Sequence, residues 1–175
     1  LSGGEPIIAW FHAHAGGVTA KAQEGLNYSL SEPSYTRSIQ VRESDKAPDD
    51  VKNWTAEFSL SQVQEALDSL GGGQAGQLAI GKRGESGRVV TFTAGSGEVS
   101  AVELRMALGS TKMKSTLLSD VTVADGVVSM SGSGYGHGVG MSQWGAYEMA
   151  AEGKSAEDII DKFYQNIEIA QVYAR

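Results

Sequence analysis

Val121-Thr122-Val123-Ala124-Asp125-Gly126-Val127-Val128-Ser129-Met130 is the stretch on which the fold turns. β-Branched residues flank Asp-Gly, the dipeptide favoured by two-residue hairpin loops because both central positions need φ > 0. The segment predicts an antiparallel pair, 121–123 against 127–130. Towards the N-terminus, Trp54, Ala56, Phe58 and Leu60 alternate with polar neighbours, the period of a half-buried strand. A helix follows it, with Ser61 as the cap, Val63, Ala66, Leu67 and Leu70 at helical spacing, and Gly71-Gly72-Gly73 as the stop. Gln77 to Ile80 and Arg88 to Thr93 form a second predicted hairpin around Gly84 and Gly87, and Glu98 to Leu108 a short helix ended by Gly109. Beyond the glycine segment 132–140, helices are expected from Ser142 to about Ala151 and, capped by Ser155, through Phe163, with a closing strand over Ile167 to Tyr173. At the other end, Glu5 to Ala15 predicts a buried strand running into Gly16-Gly17. This order of elements gives an α+β fold, mainly antiparallel strands with several short helices, in a single domain over 1–175. Residues 27–52 hold Pro33 and Pro48 and the acidic residues Asp45, Asp49 and Asp50, and are expected to form a long irregular surface loop.

Composition narrows the class of function. A formal net charge of −7, with 14 scattered Lys and Arg among 175 residues, argues against a nucleic-acid partner, which would need clustered cations. No apolar run approaches the roughly 18 residues that a membrane helix needs. The absence of cysteine excludes disulfides, thiolate metal sites and Cys nucleophiles, and tilts mildly towards the bacterial cell envelope. Leu1-Ser2-Gly3-Gly4-Glu5 has neither an initiator Met nor the features of a signal peptide, so a longer protein, with any export signal or anchor upstream, is expected.

The chemistry concentrates in Gly132-Ser133-Gly134-Tyr135-Gly136-His137-Gly138-Val139-Gly140-Met141-Ser142-Gln143-Trp144-Gly145-Ala146. Six glycines in 14 residues surround one titratable side chain, which lets the backbone take φ > 0 or lets a ligand approach closely. His137 and Gln143 can each donate and accept hydrogen bonds, and Trp144 offers a flat apolar face for a sugar. The alternative is that His137 only satisfies backbone groups in a tight turn while Trp144 is core. The Gly134-Tyr135-Gly136 start resembles a dinucleotide fingerprint, but no βαβ unit surrounds it. His12 and His14 would share one face of a strand. A metal would require a third ligand that nothing in the sequence demands, so two polar groups lining a cleft is the reading adopted, with no metal or cofactor. Thr19 and Glu24 could bind sugar hydroxyls, Glu24 also suiting a solvated helix charge. Glu103 and Arg105, two apart on a helix, cannot face one another, and each is expected to reach a different, ion-pair partner.

With these residues in view, the chain resembles the stage II sporulation protein D family, which includes enhancers of cell-wall amidases. The run Gly134 to Ala146 is similar to that family's signature. Phe11-His12 with Ala15-Gly16-Gly17-Val18-Thr19 resembles its "FHS…GG.T" segment, Glu103-Leu104-Arg105 with Leu108-Gly109 its "ELR..LG" element, and Gly153-Lys154-Ser155 with Ile159-Ile160 and Phe163-Tyr164 its closing helix. The resemblance implies lytic cleavage of the β-1,4 bond between N-acetylmuramic acid and N-acetylglucosamine, on strands stripped of peptides, during engulfment in sporulation. One carboxyl group would act as acid and then base, with the muramic 6-hydroxyl attacking in place of water. The implied substrate-binding residues are His12, His14, Thr19, Tyr135, His137, Ser142, Gln143 and Trp144. Two departures stand out. The family's catalytic Glu lies in a helix of the "EALKAQAVAARTY" kind, absent from these 175 residues, so the acid is expected upstream of Leu1. His14 replaces a small polar residue. The other expectation is a non-catalytic glycan-binding module that activates a cell-wall amidase. Peptidoglycan strands, an amidase and other engulfment proteins are the implied partners, and the implied place is outside the cytoplasm, anchored through an N-terminal helix beyond this chain.

Overall fold

The structure is a computed structural model and describes residues 1–170. Its elements run β1 (Phe11–His12), α1 (Ala22–Leu26), α2 (Asp49–Lys52), β2 (Asn53–Ser59), α3 (Leu60–Ser69), β3 (Leu78–Ile80), β4 (Thr91–Ala94), β5 (Gly97–Ser100), α4 (Ala101–Leu108), β6 (Leu118–Ala124), β7 (Val127–Ser133), β8 (Met141–Ser142), α5 (Gln143–Ala151) and α6 (Ala156–Phe163). Two antiparallel sheets, ordered β2-β7-β6 and β3-β4-β5, sit beside a two-residue parallel pair, β1-β8. The fold is therefore α+β with mainly antiparallel pairing, as the sequence predicts.

The β6–β7 hairpin follows from its turn: Asp125 and Gly126 take φ of 51° and 78°, the pair of positive angles that a type I′ loop needs. Its β7 strand also pairs with β2, setting Phe58 opposite Val128. The apolar faces of both sheets and of α3 and α4 meet in one core that includes Trp54, Phe58, Leu67, Phe92, Leu104, Val128 and Met130. A smaller cluster under α5 and α6 gathers Val41, Phe163 and Tyr164.

Several boundaries differ from expectation for local reasons. The cap of α3 is Ser59 rather than Ser61: Ser59 and Gln62 exchange side-chain and backbone hydrogen bonds in a capping box. Gln64, the residue that could have answered Ser61, is occupied by Asp68, Gly73 and Ala75. Glu98 to Leu108 is not one helix. Val99 pairs with Phe92 across β4–β5 and enters the core, and Ser100 then caps α4. The predicted strand over Glu5 to Ala15 shrinks to β1 plus isolated bridges from Glu5 to Ser2 and from His14 to Tyr135. Ile8 and Phe11 on it are exposed, because its partners are glycine-rich segments that offer no continuous ladder. Ser142 and Ser155 cap α5 and α6 as expected. Of the closing strand over Ile167 to Tyr173, residues 167–170 are irregular and 171–173 lie outside the described residues.

Residues 27–52 are irregular up to α2, yet they are tied down. Thr36, Val41, Ser44 and Ala47 are buried, and backbone bonds join Val41 to Gly17 and Thr19 to Ile39. The segment is a strap laid along the β1 side, and this brings Glu43 and Lys46 to the site below.

Candidate functional site

The 134–142 run crosses over the β1 strand so closely that side chains would not fit. At Gly136, φ is 116° and an added Cβ would come within 2.7 Å of His12 Cβ. At Gly138, φ is 81° and a Cβ would collide with the Arg88 guanidinium. Glycine is required at both positions, by conformation and by space.

This crossing places Val139 between two histidines. Its carbonyl accepts from His12 Nδ1 at 3.2 Å, and its N–H donates to His137 Nδ1 at 3.0 Å. The rings lie 5.7 Å apart, edge to face. A carbonyl can only accept and an N–H can only donate, so neutral His12 carries its proton on Nδ1 and neutral His137 carries its own on Nε2. Neutrality is enforced: burial, then the neighbouring His137 and Arg88, push His12 down to about 3, and burial with Arg105 pushes His137 down to about 4. The bare Nε2 of His12 is enclosed with no protein partner.

His14 is buried too, and burial followed by Lys52 lowers its pKa. Its Nδ1 accepts from the Gly16 N–H at 3.0 Å and lies 4.0 Å from Glu43 Oε1. Glu43 accepts from the Ala15 N–H at 2.6 Å and from the Ser142 hydroxyl at 2.9 and 2.8 Å, so one carboxylate joins strap, β1 side and the cap of α5. Burial raises the Glu43 pKa, against the pull of those donors and of Arg88. Arg88, fully buried, donates to Val18 O, Ala15 O and Ser86 Oγ, and burial lowers it to about 10, still charged at neutral pH.

The predicted site residues divide by access. His12, His14, Thr19 and Ser142 are buried. The Thr19 hydroxyl is occupied by Arg37 O and Ile39 N–H, and Ser142 by Glu43 and Gly145 N–H. Tyr135, His137 and Trp144 are half-buried and Gln143 is exposed. Lys114 sits 5.6 Å from the Tyr135 ring centroid. A surface depression of about 280 Å³ is lined by Gln143, Trp144 and Tyr147, with the two rings 5.4 Å apart. A larger one, about 380 Å³ between α3 and α4, shares no residue with the histidine cluster. Among the described residues, no group of three or more His, Asp or Glu is arranged to hold a metal ion.

Other expectations need correcting. Glu24 is not a solvated helix charge or a free sugar ligand, because it is buried and bound by the N–H and hydroxyl of Ser86. Arg105 binds the carbonyls of Met113, Ser110 and Lys114 and, among the described residues, no carboxylate, while Glu103 accepts from Asn27. Three residues at the site went unnoticed in the sequence: Glu43, Arg88 and Tyr147. Only Tyr147 carried a signal, being one helical turn beyond Trp144.

The fold and site thus define an α+β domain with a glycine-built, buried polar network beside an aromatic surface depression. The family described as Domain of unknown function (DUF8618) matches residues 20–140, and the chain belongs to it. The kinship to stage II sporulation protein D expected from the motifs is also shown. The chain is 30% identical over 170 residues to stage II sporulation protein D of Bacillus amyloliquefaciens, covering 95% of this chain and 46% of that protein. The same protein of Bacillus subtilis (strain 168) is 31% identical over 173 residues, 97% of this chain and 47% of that one. An amidase enhancer of Bacillus subtilis (strain 168) is 34% identical over 174 residues, 91% of this chain and 24% of that one. The chain therefore spans less than half the length of these relatives.

Proposed function

We propose that the surface formed by Tyr135, His137, Gln143, Trp144 and Tyr147 binds the glycan strands of bacterial peptidoglycan, in an extracytoplasmic protein of the cell envelope that acts in sporulation. The observation that carries this reading is the aromatic pair of Trp144 and Tyr147 set around a surface depression with the exposed amide of Gln143. Sugars present many hydroxyls, no strong charge along the ring and apolar faces, and such a surface answers each property. Within the longer protein, the bound strand would be cut by lytic transglycosylation between N-acetylmuramic acid and N-acetylglucosamine. That reaction needs one carboxyl group able to give and take a proton at the glycosidic oxygen. Glu43, the carboxylate beside the histidines, is shielded and held by Ala15 and Ser142, which suits anchoring better than proton transfer. By the likeness to stage II sporulation protein D, the acid would come from outside these 175 residues.

A second reading is favoured by the amidase-enhancer relative and by the engagement of Glu43: the domain presents glycan to a cell-wall amidase without cutting it. Incubating the protein with denuded strands, and separately with intact sacculi plus an amidase, distinguishes the two. Anhydromuramoyl ends from the longer protein, and none from these 175 residues, support transglycosylation with an outside acid. Faster peptide release without new glycan ends supports the second reading. Neither effect would sink both.

A further inference from the structure

Lys46 is a cation held against an aromatic ring. The Ser44 N–H to Trp144 carbonyl bond, at 3.4 Å, lays the strap beside the start of α5, and Lys46 Nζ then lies 5.5 Å from the Tyr147 ring centroid and 3.3 Å from its hydroxyl. Nearby cations are neutralised: Arg42 pairs with Glu148 and Glu152, Lys52 with Asp49 and Lys114 with Asp50. Among the described residues Lys46 has no carboxylate within 4.0 Å. Its ammonium is exposed and retains donors for a ligand. Trp144 and Tyr147, three apart on α5, share one helix face, their rings inclined at 61° around the depression that Gln143 completes.

We propose that Trp144, Tyr147 and Lys46 form a subsite for an acidic amino sugar, the rings stacking on its apolar face and Lys46 selecting its carboxylate. The inference rests on the glycan reading and deepens it. Muramic acid differs from glucosamine by a lactyl ether ending in a carboxylate, which is free on strands stripped of peptide and converted to an amide where peptide remains. A lone exposed cation beside a stacking surface discriminates between these states. An exposed charge pair of this kind is worth about two- to fivefold in affinity at low salt.

The test is calorimetric titration of the protein, at low salt, with denuded muramoyl–glucosaminyl oligomers and with N-acetylglucosamine oligomers of equal length. The subsite predicts about a two- to fivefold preference for the muramoyl oligomers, shrinking as salt is raised. Lys46→Gln brings the ratio of affinities to about one, and Lys46→Arg keeps it. Equal binding of both oligomers by the unmodified protein, or an undiminished preference in Lys46→Gln, overturns the subsite and leaves the glycan reading standing. Binding of neither oligomer overturns the glycan reading itself.

Discussion

Residues 53–133 and the run 134–146 are buried by different means. The first region builds an apolar core, with Phe58, Phe92, Leu104, Val128 and Met130 interlocked between two sheets and two helices. Around the second, the enclosed groups are His12, His14, Glu24, Arg88 and Ser142, joined by hydrogen bonds through backbone carbonyls and N–H groups. An apolar core is indifferent to protonation and tolerates small shifts. A buried polar network holds only while each donor faces an acceptor and each charge stays in its state. The sheets are therefore the scaffold, and the polar network under the glycine run is the part whose shape depends on a few atoms and on pH.

Two substitutions sharpen this contrast most strongly. Phe92→Ala, in the core and fully buried, should cost about 3–5 kcal/mol in urea unfolding and affect glycan binding only through loss of folded protein. Gly138→Ala should cost less, about 2 kcal/mol, because it strains a left-handed φ and forces Arg88 aside, yet it should abolish glycan binding in the protein that remains folded. If both variants lose binding only in step with their stability, the separation of scaffold and polar network is wrong.

The polar side of the contrast also depends on pH. Unfolded histidine binds a proton near 6.5, whereas folded His137 and His12 do so only near 4 and 3, so the unfolded state holds more protons between these limits. Stability is complete above pH 6.5 and falls as pH drops through that window, by about 1 kcal/mol per histidine for each unit. The lowered pKa of His14 acts in the same sense. Glu43 opposes it, since a raised carboxyl pKa lets the folded state take up its proton first. Melting temperatures from pH 7 to 5 should fall for the natural chain and fall less steeply for His12→Asn, which keeps a donor for the Val139 carbonyl. Equal slopes would mean that the His12 ring is not held neutral by the fold.

The scaffold was far more legible in the sequence than the polar network. Asp125-Gly126 announces its turn because the required angles are a property of those two residues, and the caps Ser142 and Ser155 act within three residues of themselves. Ambiguity arose where two local signals competed, as between Ser59 and Ser61, each standing three residues before a glutamine. The glycine run and its histidine were visible as composition. What that run rests on was not: Glu43 meets Ser142 across 99 positions and Arg88 meets Ala15 across 73, and no local pattern marks such partners. Their roles exist only once the strap and the β1 strand are folded together.

The proposed hold of the aromatic surface on peptidoglycan glycan rests on Trp144 and its depression. Its most direct test is the affinity of the protein for denuded glycan strands, measured beside that of Trp144→Ala with the melting temperatures of both. Binding should be saturable and weaken on the order of tenfold in Trp144→Ala while the melting temperature stays nearly unchanged. Unchanged affinity on loss of the indole, in a protein that stays folded, would contradict it.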